Sequence, residues 1–547
     1  MIHIDTKHKI WADNQINFWE NNEFRIYWRG CLFIPDIPVG EKSVEMFARE
    51  IKIQGIENAC SILYGSFYCF VYDKKSNVYY AFTDNSRQSS LFYDNKNSLI
   101  SSSFLHLIKL NHPEIKNMLP TSIVEFILTG FIFSPEVFFK NIRIIEADEI
   151  IIFPQENEVR MALREKKLEN IFSGLEEPTK PEIFLKEFQK IINSLKNKKI
   201  SIDLTGGTDT RLLMTIFHSL GLNFETAISG MPDSSDVLIS SKVAQEKNLT
   251  HFVTHHILNS EVLESELKEI FYLGDGLTNI LDIHRLYQFQ KDKKEKRIDF
   301  SISGSGGELY KDGGWWRAAF IKRNKRKIVD GLVNSGLAGW GLSRAEIPKN
   351  IFSERLFELA INYKKNLSKK IYNHFTHNSQ QDFYKMADQI FYEYSVRAPR
   401  GFNQRLTVTY APLLEKNIVK LGINIPGKER LFHIFYRKII TSLDPEIAKI
   451  KTNRGGSTMS SKIYYIITDI LKMFLTNIFQ KKTPGTTNPK IYRTVENFTE
   501  TKNLFKILKN YEIINRKTEP ENIDNKYLGR LITLGMLIKY INNINKN

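Results

Sequence analysis

The stretch Ile200-Ser201-Ile202-Asp203-Leu204-Thr205-Gly206-Gly207-Thr208-Asp209-Thr210-Arg211 constrains the fold more than any other part of the chain. Its first five residues read as a buried strand. Two glycines follow, and then Leu212, Leu213, Ile216, Phe217 and Leu220 recur at helical spacing up to a stop at Gly221. The alternation continues. Residues 224–228 read as a strand, 237–247 as a helix and 251–254 as a strand. Upstream, Ile183, Phe184, Phe188, Ile191, Ile192 and Leu195 form a helical stripe behind Pro181, where a first-turn proline is tolerated. Strand, helix, strand, helix, strand predicts a parallel sheet wrapped by helices. Beyond about residue 348 the pattern is mostly helical, and no internal repeat is visible.

The part before residue 153 reads differently. Residues 24–30 alternate apolar and polar, as a half-buried strand does. Residues 66–72, a polar turn at 73–77 and residues 78–82 spell a hairpin. Residues 91–93, a turn at 94–97 and residues 99–101 spell another, and 149–153 a further strand. The polar stretch 156–180 includes Pro178 and is where a boundary falls. Two domains are therefore expected, at residues 1–170 and 180–547.

Composition excludes several function classes. The chain has 547 residues, 42% hydrophobic and 25% charged, which suits a globular protein rather than a disordered one. Lys and Arg exceed Asp and Glu by 77 to 61, a net charge of +16. The lysines are scattered, with no zinc finger, arginine-rich run or aromatic-basic repeat, so nucleic acid is not the expected partner. Cys31, Cys60 and Cys69 form no C-x-x-C pair, and three is a poor count for disulfides. Residues 1–14 lack the apolar core of a signal peptide. The apolar stretch 463–479 contains Asp469 and Lys472 and reads as a packed helix rather than a membrane span. The expected location is cytoplasmic.

The chemistry concentrates in two loops. In the first, Gly206 and Gly207 let the backbone approach a ligand, Thr205 and Thr210 offer hydroxyls, and the helix start offers N–H groups and a positive dipole end. Such a site suits phosphate or pyrophosphate. Asp209 is an acid inside an anion site, which makes sense if it holds Mg²⁺; the plain alternative is a helix cap. The second loop, Phe300-Ser301-Ile302-Ser303-Gly304-Ser305-Gly306-Gly307-Glu308-Leu309, is again a strand running into glycines. Glu308 there reads as a second metal carboxylate or as a cap.

The first loop resembles the Ser-Gly-Gly-x-Asp-Ser motif of the N-type ATP pyrophosphatases, with threonine for both serines. The surrounding order is similar to that of the asparagine synthetase family. Ser229-Gly230 follows the second strand, where that family holds adenine by main-chain contacts, and Asp233-Ser234-Ser235-Asp236 opens the next helix. The second loop resembles the family's Gly-[Asp/Glu]-Gly-[Ala/Ser]-Asp-Glu, with Glu308 on the metal-binding carboxylate and Ser305 on an acidic position. Tyr410-Ala411-Pro412-Leu413-Leu414-Glu415 resembles Arg-x-Pro-Phe-Leu-Asp, and residues 435–451 resemble the segment before the catalytic lysine. Residues 65–93 resemble the glutaminase domain more weakly, with Asp84, Leu91 and Tyr93 matching but Asn85 and Ser86 departing.

The resemblance implies an α/β protein. Its first part would be an Ntn-hydrolase-like α+β sandwich without its nucleophile, since the chain begins Met1-Ile2-His3 where that family carries cysteine. β-Lactam synthetases and lasso-peptide cyclases share that condition. The second part would be a parallel-sheet PP-loop synthetase domain with a helical C-terminal portion. ATP and Mg²⁺ are the implied cofactors. Leu204, Thr205, Gly206, Gly207, Asp209, Thr210, Ser229, Gly230, Ser303 and Gly304 are the implied nucleotide residues, with Asp209 and Glu308 on the metal. Lys451 is the nearest match to the catalytic lysine and Arg454 the second choice, with Lys449 a solvated charge. The implied reaction activates a carboxylate as acyl-AMP, releases pyrophosphate and joins an amine or ammonia without hydrolysing glutamine. The partners are a small-molecule or peptide carboxylate and an amine, with no nucleic acid and no membrane; a homodimer and a precursor-peptide partner both stay open. Three alternatives stand beside this. One is a catalytically silent nucleotide-binding homologue. Another is an amidotransferase fed ammonia from a separate source in polysaccharide or natural-product biosynthesis. The third is a PP-loop thiolation enzyme, disfavoured by the lack of cysteine after residue 69.

Overall fold

The computed structural model describes the chain except residues 5–9, 14, 155–159, 164–176, 256–257, 312–323, 325, 328, 331–346, 348–349, 377–382, 394–400, 454, 462, 465–466, 468–488 and 547. The stretch 463–479 therefore lies mostly outside the described residues. Among those described, no helix is long and apolar enough to cross a membrane.

The protein is mixed α/β, with two antiparallel sheets and one parallel sheet. The strands of the first part are β1 (Ile2–Ile4), β2 (Ile10–Ala12), β3 (Asn17–Glu20), β4 (Phe24–Phe33), β5 (Tyr64–Asp73), β6 (Val78–Thr83), β7 (Phe92–Asp94), β8 (Leu99–Ser101), β9 (Ile142–Ile144), β10 (Glu149–Pro154) and β11 (Arg160–Leu163). They form a five-stranded sheet, β2-β1-β8-β7-β9, and a six-stranded sheet, β11-β10-β6-β5-β4-β3. Both hairpins expected from the sequence are present, as β5–β6 and β7–β8. β11 is a correction: it pairs with β10 inside the stretch expected to be linker.

Strand alternation builds the layers. On β5, Tyr68 and Phe70 face Ile2, Ile4 and Ile100 of the other sheet. Phe67, Cys69 and Val71 face the opposite way, onto Val44, Phe47, Ala48 and Ile51 of the helix Glu41–Ala59. Phe92, Ile142 and Ile144 share a cluster with the helices Phe104–Asn111 and Pro120–Thr129. The order is helix, sheet, sheet, helix.

The parallel sheet comprises β12 (Ile200–Asp203), β13 (Glu225–Ser229), β14 (His251–Thr254), β15 (Phe300–Ile302) and β16 (Val408–Tyr410), in the order β14-β13-β12-β15-β16. Ile200, Ile202, Phe300 and Ile302 pack into one cluster with the helices Pro181–Leu195, Thr208–Ser219 and Ile434–Leu443. The other face is polar. Ser201, Asp203 and Ser301 alternate onto it, where the fully buried Lys293 of the helix Ile280–Glu295 pairs with Asp203 and donates to Ser301 Oγ at 2.6 Å. Its ammonium stands 3.7 Å from the centre of the Phe289 ring. A lysine is retained in this core because the charge is paired and lies over an aromatic face.

β16 carries the seam between the parallel sheet and β4–β5. Phe33 and Tyr410 meet edge to face at 5.7 Å, and Gly65 N–H donates to Glu415 Oε1 at 2.7 Å. Burial, and then nearby Asp84, push the Glu415 carboxyl up to about 8, against the opposing pull of Gly65, Tyr410 and Lys416. The folded chain thus holds a proton there that the unfolded chain releases near 4.5. Stability should fall as pH rises from about 4.5 to about 8. Glu415→Gln should flatten that slope, read as denaturant midpoints at a series of pH values; an unchanged slope would show that Glu415 is ionised in the fold.

Candidate functional site

β12 is the first strand of the parallel sheet in sequence and its middle strand in space. The chain moves from β12 out to β13 and β14, then returns on the other side as β15 and β16. The strand order therefore reverses between β12 and β15. Loops leaving the carboxyl ends of such a pair diverge and open a crevice. Both glycine loops singled out in the sequence leave those two ends.

Its own threonines shape the first loop. Thr205 N–H donates to Thr210 Oγ1 at 3.0 Å, the two hydroxyls lie 3.1 Å apart, and Gly207 N–H donates to Thr205 Oγ1 at 3.2 Å. Leu204 is buried below, its N–H on Ala227 O at 2.9 Å. Gly206 N–H donates to Asp236 Oδ1 at 3.0 Å, and Gly206 O accepts from Asn453 N–H at 2.9 Å. The helix Thr208–Ser219 begins here, so its first N–H groups have no intrahelical acceptor.

The second loop packs directly on the first. Ser303 Oγ lies 2.9 Å from Ser305 Oγ and accepts from Ser305 N–H at 3.2 Å. A Cβ at Gly304 would stand 2.8 Å from Thr210 Cγ2, and one at Gly307 only 2.4 Å from Asp209 Cγ. Glycine at 307 thus lets Asp209 lie against the short 3-10 helix Gly307–Tyr310, which carries Glu308. Tyr436 donates to Gly307 O at 3.2 Å. Its phenol is raised well above its usual value by burial first, then by the charges of Asp209, Tyr310 and Glu308.

Asp209 has two different oxygens. Oδ2 is 2.5 Å from Lys311 Nζ, with both side chains largely buried, at 20% and 13% exposure. Oδ1 is buried with no hydrogen-bond partner. Among the described residues no group of three or more His, Cys, Asp or Glu side chains is arranged to hold a metal. Two carboxylates are nevertheless what Mg²⁺ takes when phosphate oxygens and water complete its shell. The unsatisfied Oδ1 and the neighbouring Glu308 fit that donor set.

Ser229 and Gly230 lie at the carboxyl end of β13. Arg285 donates from Nε to Ser229 Oγ at 3.2 Å and from its terminal nitrogen to Ser229 O. Gly230 N–H donates to Thr254 O at 3.1 Å. The Lys451 side chain is exposed, but its backbone is tied down. The fully buried Arg211 donates to Ile450 O at 2.6 Å and to Lys451 O at 2.9 Å. Together with the Asn453–Gly206 contact, this docks the segment carrying Lys451 onto the first glycine loop. Lys449 pairs with Glu446 at 2.7 Å on the exposed surface. Arg454 lies outside the described residues.

Four residues at the site were not expected from the sequence: Lys311, Arg285, His433 and Asn453. His433 Nδ1 lies 3.0 Å from Thr208 Oγ1, held there by a backbone in which Phe432 and His433 both have positive φ, 52° and 57°. None of the four sits in a motif. Lys311 follows Glu308 by three residues, the sole sequence hint for any of them.

Compared with known proteins, the chain matches no family model and no curated sequence.

Proposed function

We propose that the chain is an ATP-dependent, AMP-forming amide ligase of the asparagine synthetase type. One observation carries the reading: two glycine loops from β12 and β15 meet at the reversal of strand order, where Asp209 packs against Gly307, the residue before Glu308. On this reading the parallel sheet is a PP-loop synthetase domain. The helix-sheet-sheet-helix layers before it are an Ntn-hydrolase-like domain that makes no ammonia.

The residues then divide the work. Thr205, Thr210 and the first N–H groups of the helix Thr208–Ser219 hold the pyrophosphate end of ATP, where a helix start favours negative charge. The main chain at Leu204, Ser229, Gly230, Ser303 and Gly304 receives the nucleoside. Asp209 and Glu308 would hold Mg²⁺, which neutralises charge on the triphosphate when bound. Lys451, with Arg454 as second choice, stabilises negative charge developing as the amide forms and AMP departs. Held in this cleft, a substrate carboxylate attacks the α-phosphorus, pyrophosphate leaves, and an amine displaces AMP; positioning supplies much of the rate.

Glutamine is not the nitrogen source on this reading. All three thiols are buried, and burial raises the Cys31 thiol well above its usual value, so none is poised as a nucleophile. Glutamate release from glutamine should match a protein-free blank, and release abolished by Cys31→Ala would contradict this.

The test of the reaction class is ATP–pyrophosphate exchange with pooled carboxylates, followed by nucleotide analysis. AMP and pyrophosphate are expected, whereas ADP and phosphate would overturn the proposal. One feature favours a silent nucleotide-binding protein instead: Ser305 bonds to Ser303 where the family resembled carries an acid. Tight ATP binding with no exchange in any pool would support that second reading.

A further inference from the structure

We infer that Lys311 is a resident cation of the anion site, whose ammonium bridges Asp209 and the oxygens of a bound pyrophosphate or triphosphate. The site would then hold polyphosphate without a divalent ion. The inference rests on the nucleotide reading above and adds a charge carrier to it.

An acid in the first turn of a helix that receives phosphate repels that ligand unless a cation lies between them. In this protein the cation on Asp209 is a side chain, with Lys311 Nζ 2.5 Å from Asp209 Oδ2. Its position is built rather than accidental. Lys311 leaves the short helix Gly307–Tyr310 with extended backbone. Tyr310 pins that helix by donating to Leu413 O at 2.5 Å, and Tyr436 by donating to Gly307 O at 3.2 Å. The Lys311 side chain is only 13% exposed.

Two buried cations nearby are committed to other partners. Arg211 donates to the carbonyls of Ile450 and Lys451, and Arg430 is paired with the buried Asp388. An ammonium has three donors, and Asp209 occupies one. The remaining donors are suited to phosphate oxygens, which lysine binds as a compact charge.

The test is calorimetric titration of inorganic pyrophosphate, and separately of ATP, into the full chain in EDTA and then in excess Mg²⁺. Wild type is expected to bind pyrophosphate in EDTA. Lys311→Met should weaken that binding roughly tenfold or more, the usual scale for one charge-assisted hydrogen bond. Lys311→Arg keeps the charge and should retain binding within about threefold, which also controls for folding. The double variant Asp209→Asn with Lys311→Met should stay weak. Recovery there would overturn the inference, because Lys311 would then only neutralise Asp209. Equal binding by Lys311→Met and wild type would overturn it too. If wild type takes pyrophosphate and ATP only with Mg²⁺, the inference falls and the proposed function stands. If neither binds under any condition, both fall.

Discussion

Asp209→Asn is expected to abolish AMP formation while leaving the fold intact. The substitution keeps size and keeps an oxygen for Lys311, so the contact with that residue survives as a weaker, neutral one. The charge that the bare Oδ1 offers to a metal is lost. Loss of one metal contact to a transferring phosphate can cost several kcal/mol, a rate factor on the order of 10² to 10³ or beyond. Glu308→Gln should behave alike, since Glu308 follows Gly307, against which Asp209 packs. The measurement is AMP release by chromatography, with circular dichroism as the control for folding. Wild-type turnover in Asp209→Asn would reduce Asp209 to a structural partner of Lys311.

Arg211→Met is expected to damage both stability and chemistry. The guanidinium is fully buried and supplies donors to two carbonyls of the segment that carries Lys451. Methionine fills some of the volume and leaves both carbonyls without that donor. Stranding buried polar groups costs about 1–3 kcal/mol each, so a total of about 2–6 kcal/mol is the expected scale. Because Thr205, Asp209 and Thr210 stay in place, ATP affinity should change little while the single-turnover rate falls. An unchanged denaturant midpoint with a wild-type rate would mean that the 450–453 segment holds its position without Arg211. Lys451→Met should slow the same step without lowering the midpoint, since its side chain is exposed.

Much of the parallel sheet was legible because its signals are local. The run 200–204 and the stripe from Leu212 to Leu220 each carry their own periodicity, and the structure has a strand at Ile200–Asp203 and a helix at Thr208–Ser219. The glycine pairs were legible because close backbone approach requires that residue, as the 2.4 Å Cβ distance at Gly307 makes plain. The helix Glu41–Ala59 is absent from a strand-rich reading, although Val44, Phe47, Ala48 and Ile51 recur at helical spacing; Gly55, with φ of 78°, interrupts that pattern. β11 is four residues long in a polar stretch, too short for its alternation to stand out. The polar face of β12 was hidden for another reason. Asp203 looks like an interruption in an apolar strand until Lys293, ninety residues later, is brought onto it. Lys311, Arg285 and His433 belong to the same class: their partners are set by how helices pack on the sheet, and no local spacing encodes that.

The most direct measurement is hydrogen–deuterium exchange of the full chain with and without Mg²⁺–ATP, because it needs no knowledge of the carboxylate substrate. Bound triphosphate should slow exchange together at residues 204–210 and 303–309, with a smaller effect near Ser229 and Gly230, and Asp209→Asn should weaken that protection. Unchanged exchange in both loops at saturating nucleotide, or protection elsewhere in the chain, would contradict the assignment of this crevice as the nucleotide site.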